Sequence, residues 1–142
     1  MSIRVSSTLP VPAAVVAELM GKPALLRHVT WPILTIHGLP ETVAPGRPVV
    51  VRLVLFGLVP LWRHTITVVA SGALEARTDE HGGPLRTWRH HLLVEPLSAT
   101  SCRYTDEVDL DAGRLTPVAR SAARLFYRHR HQRWRALSRV LA

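Results

Sequence analysis

Cysteine occurs once, at Cys102, so no disulfide can form within the chain. A reducing, cytoplasmic setting is the expectation that follows. Lysine also occurs once, at Lys22, against seventeen arginines, a skew that looks like genome composition rather than chemistry. No uncharged run approaches the roughly 18 residues that a membrane-spanning helix needs, so no membrane insertion is expected. The opening stretch "MSIRVSSTLPVPAAVVAELM" is broken by Pro10, Pro12 and Glu18 and is not expected to act as a signal peptide. Metal-ligand spacing of Cys, His and Asp is missing, as are a G-x-S-x-G elbow, a P-loop and a dinucleotide fingerprint. No metal and no cofactor is therefore expected.

Acidic residues stop at Asp111. Residues 1–111 hold ten basic and ten acidic side chains, which cancel, whereas residues 112–142 hold eight arginines and no acid. The formal net charge of +8 thus comes from the last segment alone. Two readings are open for it. One is an amphipathic helix with a solvated arginine face; the other, the weaker, is a footprint for nucleic acid or a protein partner. Nucleic acid is not the expected partner, and the number of copies in an assembly is left open.

Along the 142 residues no repeat, low-complexity tract or linker marks a second domain, so residues 1–142 are read as one domain. "SIRVSSTLP" alternates and reads as a strand. "VPAAVVAELMGKPALLRHVT" has helical spacing, split by Gly21 and Pro23 into two short helices. Further strands are expected in "WPILTIHGLP", "VVVRLVLFG", "LWRHTITVV", "ALEART", "LRTWRHHLLVEP" and "CRYTDEVDL", with "DEHGG" as a turn. "AGRL" then opens a helix of about 25 residues. The expected fold class is α+β: a seven-stranded antiparallel sheet wrapped around a long C-terminal helix, with two short helices after strand 1. The helix stripe would run through Leu115, Ala119, Ala122, Ala123, Phe126, Leu137, Val140 and Leu141. Its first half is mostly alanine, which leaves space against a curved sheet and suggests a cavity.

Four segments carry a resemblance: "LVLFGLVPLWRHTI", "LRTWRHHLLVEP", "CRYTDEVDLDAG" and "LFYRHRHQRWRAL". With the order of elements, they resemble the helix-grip fold of the START / birch-pollen-allergen-like (SRPBCC) superfamily, which includes bacterial polyketide cyclase/dehydrase-like proteins. The resemblance spans essentially the whole chain. It implies a hydrophobic-ligand carrier, a cyclase, a lipid-transfer protein or a regulator, since this fold hosts all of them.

The adjacent histidines of "TWRHHLLV" face opposite sides of a strand. His90 shares parity with Trp88, Leu92 and Val94 and points inward, whereas His91 shares parity with Arg89 and Glu95. A turn centred near residues 98–99 would set His90 directly opposite Asp106, with Cβ atoms about 5 Å apart. Such a pair could orient an imidazole for acid–base chemistry, or simply satisfy two buried polar groups. Tyr104 shares the face, and His64 points inward beside Trp62. Arg130 and Arg133 fall where the helix stripe lapses and could pair with carboxylates or reach an anionic ligand group; snorkelling to solvent is the commoner outcome for such side chains. His129 and His131, two apart on a helix, diverge too far to chelate one metal. Cys102 reads as a small apolar filler.

Two functions follow from one pocket. In the first, a small hydrophobic molecule, aromatic or polyketide-like, binds between sheet and helix, walled by Trp62, Trp88, Leu92, Tyr104, Val108 and Phe126 and anchored by His64, His90 and Asp106. In the second, a cyclase or dehydratase uses His90 as base and Asp106 as its orienter.

Overall fold

The computed structural model describes residues 2–142. Strand β1 (Ile3–Leu9) is followed by helices α1 (Ala13–Met20) and α2 (Pro23–Thr30). Then come β2 (Leu34–His37), β3 (Val49–Leu55), β4 (Val59–Ser71), β5 (Glu75–Gly82), β6 (Leu85–Ser98) and β7 (Ser101–Asp111). A single 3-10 turn, Gly113–Leu115, leads into α3 (Thr116–Leu141), the one long helix. Every strand pairing is antiparallel, in the order β1-β7-β6-β5-β4-β3-β2. This is a six-strand meander with β1 added beside β7. Among the described residues, no helix is long and apolar enough to cross a membrane.

The turn into α3 is set locally. Gly113 has φ of 60°, a left-handed conformation that a side chain would disfavour. Asp111 accepts a hydrogen bond from the Gly113 N–H, and the Thr116 hydroxyl bonds both the Ala112 N–H and the Gly113 carbonyl. Pro117 occupies the first turn, where its missing N–H costs nothing.

The helix lies across β1 and β7 and grips the sheet through two apolar clusters. Trp134 packs with Tyr104, Leu9, Val16 and Val29, bringing α1, α2 and the sheet together. Cys102 fills the same cluster as a buried apolar group, and burial pushes its thiol pKa up. Tyr127 and Ala123 pack with Ile3, Val108 and Leu110.

Two sequence expectations need correcting. The gripped face of α3 is Ala123, Tyr127, Arg130, His131, Trp134 and Ser138. Phe126 and Leu137 flank it, half-buried, whereas Leu115, Val140 and Leu141 are exposed. The expected stripe is aliphatic apart from Phe126, whereas the face that meets the sheet keeps Ala123 and is otherwise aromatic and polar. The second correction concerns "DEHGG", which is strand rather than turn up to Gly82; the hairpin turns at Gly83 and Pro84. The glycines serve the neighbouring strand: a Cβ on Gly83 would fall 2.5 Å from the Trp62 indole. They give Trp62 room to lie against the hairpin.

Trp134→Ala is expected to cost about 3–5 kcal/mol, as for a large side chain removed from a packed core. Val140→Ala, at the exposed end of the same helix, should stay within about 0.5 kcal/mol of wild type. Urea unfolding of both variants checks the assignment of the gripped face.

Candidate functional site

The hairpin between β6 and β7 sets the site. Ser98 pairs with Ser101, and a bulge lies between Pro96 and Ser98, after which Pro96 pairs with Cys102, Leu92 with Asp106 and His90 with Val108. His90 and Asp106 are therefore diagonal neighbours, not directly opposed as the turn placement suggested. The expected register is off by two residues, which preserves the face. Without the bulge, the Ser98–Ser101 pairing would continue to set His90 opposite Asp109, and Asp106 would turn to the other side.

Asp106 is the centre of a buried network. Nε2 of His90 lies 2.6 Å from Oδ1, and the Tyr104 hydroxyl donates to the same oxygen at 3.1 Å. Nε2 of His131, from α3, lies 2.9 Å from Oδ2. Nδ1 of His131 is 2.6 Å from the Ser7 hydroxyl on β1, which accepts a bond from Arg135. The Asp106 carboxylate can only accept, so Nε2 of His131 is the donor in that bond. Burial favours the neutral carboxyl, but the Arg130 charge and the hydrogen bonds from His131 and His90 outweigh it and hold Asp106 far below its ordinary pKa. Burial and the Asp106 charge push the Tyr104 phenol far up.

Glu80 is a second inward carboxylate, half-buried, on β5. Nε2 of His64 donates to it at 2.9 Å and the Thr78 hydroxyl at 2.6 Å. The Trp62 indole N–H donates to Nδ1 of His64, which fixes the Nε2–H tautomer. Burial opposes the charge of Glu80, but the His64 bond and the charges of His90 and His64 prevail, so its pKa falls. Nδ1 of His90 lies 4.0 Å from Glu80, beyond hydrogen-bond distance.

These groups border a cavity of about 610 Å³ between the sheet, α2 and the first half of α3. Trp62, His64, Trp88, His90, Leu92, Tyr104 and Phe126 all line it. Ala119, Ala122 and Ala123 of α3 form the small-residue side that leaves the space open. Val108 does not line it: this residue packs against Ile3 and Ala123. Asp106 is covered and touches the wall only through His90 and Tyr104. A larger depression, about 890 Å³, lies over β3 and β4, but its titratable members His37, Arg52 and Arg63 are all exposed. The outward residues behave as their parity requires. His91 pairs with Glu75 at 3.0 Å, partly exposed, and Asp109 is exposed.

Sequence reasoning missed Glu80, His131 and Tyr127. Glu80 was hidden by the turn-like "DEHGG", although its parity with Thr78 and Ala76 was a usable signal. His131 was weighed only as a metal ligand. Part of the arginine excess is also absorbed within the chain. Arg133 donates to the His28 carbonyl and sits over the Trp31 ring, and Arg135 bonds Ser7.

Over residues 5–138 the sequence matches the family described as "Domain of unknown function (DUF8410)". The chain belongs to that family. None of the curated proteins matches it. Its fold is shared by a START superfamily protein from Mycobacterium smegmatis, at 14% identity, with 99% of each chain covered and a TM-score of 0.74. A protein from Chromobacterium violaceum matches at 14% identity, 96% of each chain and a TM-score of 0.78. The Zhui aromatase/cyclase from Streptomyces matches at 17% identity, 97% of this chain and 87% of its own, with a TM-score of 0.57. The DUF8410 chain thus has the START-like helix-grip fold.

Both inward carboxylates have pKa values below their ordinary 3.8 and 4.5, so their stabilisation is present above those values and lost as pH falls through and below them. Unfolding free energy should therefore decline on acidification below about pH 5, by about 1.4 kcal/mol per pH unit for each proton taken up. Asp106→Asn should lower stability at pH 7 by about 3–5 kcal/mol and flatten that decline. The exposed control Asp109→Asn should leave both unchanged, as read by denaturant unfolding across pH.

Proposed function

We propose that residues 1–142 form one ligand-binding domain that encloses a small, largely apolar molecule in the cavity between the sheet and α3. The observation that carries this reading is the cavity itself. Its wall is mostly aliphatic and aromatic, and its polar groups include His64, Glu80 and His90 from three adjacent strands and Arg130 from α3. Pockets for small apolar ligands are built this way. The fold shared with a START superfamily protein and an aromatase/cyclase supports the same reading, and aromatic or polyketide-like compounds are the first ligands to try. The lone buried thiol fits a reducing cytoplasm.

A second reading has one observation in its favour. His90 is held at Nε2 by a charged carboxylate, while Nδ1, on a cavity-lining ring, has no hydrogen bond. An imidazole oriented in this way can take or deliver a proton at Nδ1. The domain would then be a cyclase or dehydratase acting on the molecule it encloses, with Asp106 as a positioning residue.

Native mass spectrometry of freshly purified protein is expected to show a small-molecule adduct that leaves on denaturation. A cavity that retains no adduct and from which no apolar compound displaces a fluorescent probe would refute the binding reading. His90→Ala separates the two functions. Retained binding with lost turnover of the captured molecule makes the domain an enzyme, whereas a wild-type protein that returns the molecule unchanged is a carrier.

A further inference from the structure

We infer that the enclosed molecule carries a single negative charge and that Arg130 is the residue that takes hold of it. The inference rests on the binding reading above and adds the chemistry of the ligand. Arg130 lies on the gripped face of α3, only 6% exposed, and lines the cavity. A guanidinium offers five N–H donors in a planar fork, and a buried one is ordinarily paired. This one is not. Nε is buried with no hydrogen-bond partner, and among the described residues no carboxylate oxygen comes within 4.0 Å of its nitrogens. The Tyr127 ring lies 5.1 Å from Cζ and steadies the cation without using its donors, and the Asp106 charge favours it at longer range.

The neighbouring acids do not need Arg130 for hydrogen bonding. Asp106 has donors from His90, Tyr104 and His131, and Glu80 has donors from His64 and Thr78. The cavity therefore presents satisfied acceptors and one unsatisfied, permanently charged fork. The complementary group is a planar oxyanion, a carboxylate, which a guanidinium binds through two parallel hydrogen bonds. A dianion fits less well. Glu80 lines the same cavity and Asp106 lies just behind its wall, so a second negative charge would face two carboxylates across a desolvated space. The remaining wall is apolar, which makes the ligand an apolar acid of modest size.

The test compares heads on constant bodies at pH 8: dodecanoate with dodecan-1-ol and dodecyl phosphate, and 2-naphthoate with 2-naphthylmethanol. Binding is read by calorimetry. In the wild-type protein, the carboxylate of at least one pair should bind ten-fold or more tighter than its alcohol, and dodecyl phosphate should not exceed dodecanoate. Arg130→Gln should erase the preference by weakening the acid while leaving the alcohol within about two-fold. Arg130→Lys, which keeps the charge but not the fork, should restore part of it. An alcohol that matches its acid in the wild-type protein overturns the inference and leaves the binding reading standing. So does an acid preference that survives in a folded Arg130→Gln variant, or a phosphate that binds more tightly. If no compound of either body binds, and no adduct co-purifies, the binding reading falls and takes this one with it. The wild-type comparison holds even if Arg130→Gln fails to fold, because it uses no variant.

Discussion

A carboxylate with no exposed surface costs several kcal/mol unless donors surround it. Asp106 meets that condition by drawing on three parts of the chain. His90 comes from β6, Tyr104 from its own strand and His131 from α3. Ser7 and Arg135 extend the link to β1. The geometry of the grip follows from this. For His131 to reach Asp106, α3 must cross the sheet with Tyr127 and Trp134 facing inward, and those rings then define where the core is filled. Where the helix carries alanine instead, at positions 119, 122 and 123, the cavity begins. Closed core and open cavity are two halves of one helix face.

The sequence allows much of this to be read, and the reason is periodicity. Alternation along β6 and β7 puts His90, Tyr104 and Asp106 on one face whatever the exact pairing, because an error of two residues preserves the face. The pairing itself depends on a bulge at Leu97, and a single extra residue in "EPLSATS" leaves no periodic trace. Glu80 was obscured because glycine has two uses. "HGG" looks like a turn, whereas Gly82 and Gly83 are small so that the Trp62 indole can lie against them. On α3 an aliphatic rule picked Val140 and Leu141, which are exposed, and passed over His131, which is covered. A polar residue can occupy a core face when its partner is buried elsewhere, and only the fold shows that partner.

The two inward acids are handled differently, which divides the cavity. Glu80 is held by donors on its own side of the sheet, His64 and Thr78. Asp106 shares its surroundings with the Arg130 charge. His90 stands between them, 2.6 Å from one and 4.0 Å from the other. Any group entering the cavity therefore meets an electrostatic gradient from Glu80 towards Arg130, with an imidazole between. Orientation of a polar ligand end is built into that gradient before any shape selection acts.

The link between Asp106 and His131 also orders the events of folding. Helix α3 follows every strand in the chain, so the meander can pair before the helix is available. Until α3 docks, Oδ2 of Asp106 and the hydroxyl of Ser7 lack the His131 ring, and the inner face of the sheet is open to water. Hydration of that carboxylate opposes docking, but the uncovered apolar face of the sheet makes a sheet without its helix a poor resting point rather than a stable intermediate. Closure is then expected to be cooperative: the charge is withdrawn from solvent in the same step that seats Trp134 on Tyr104.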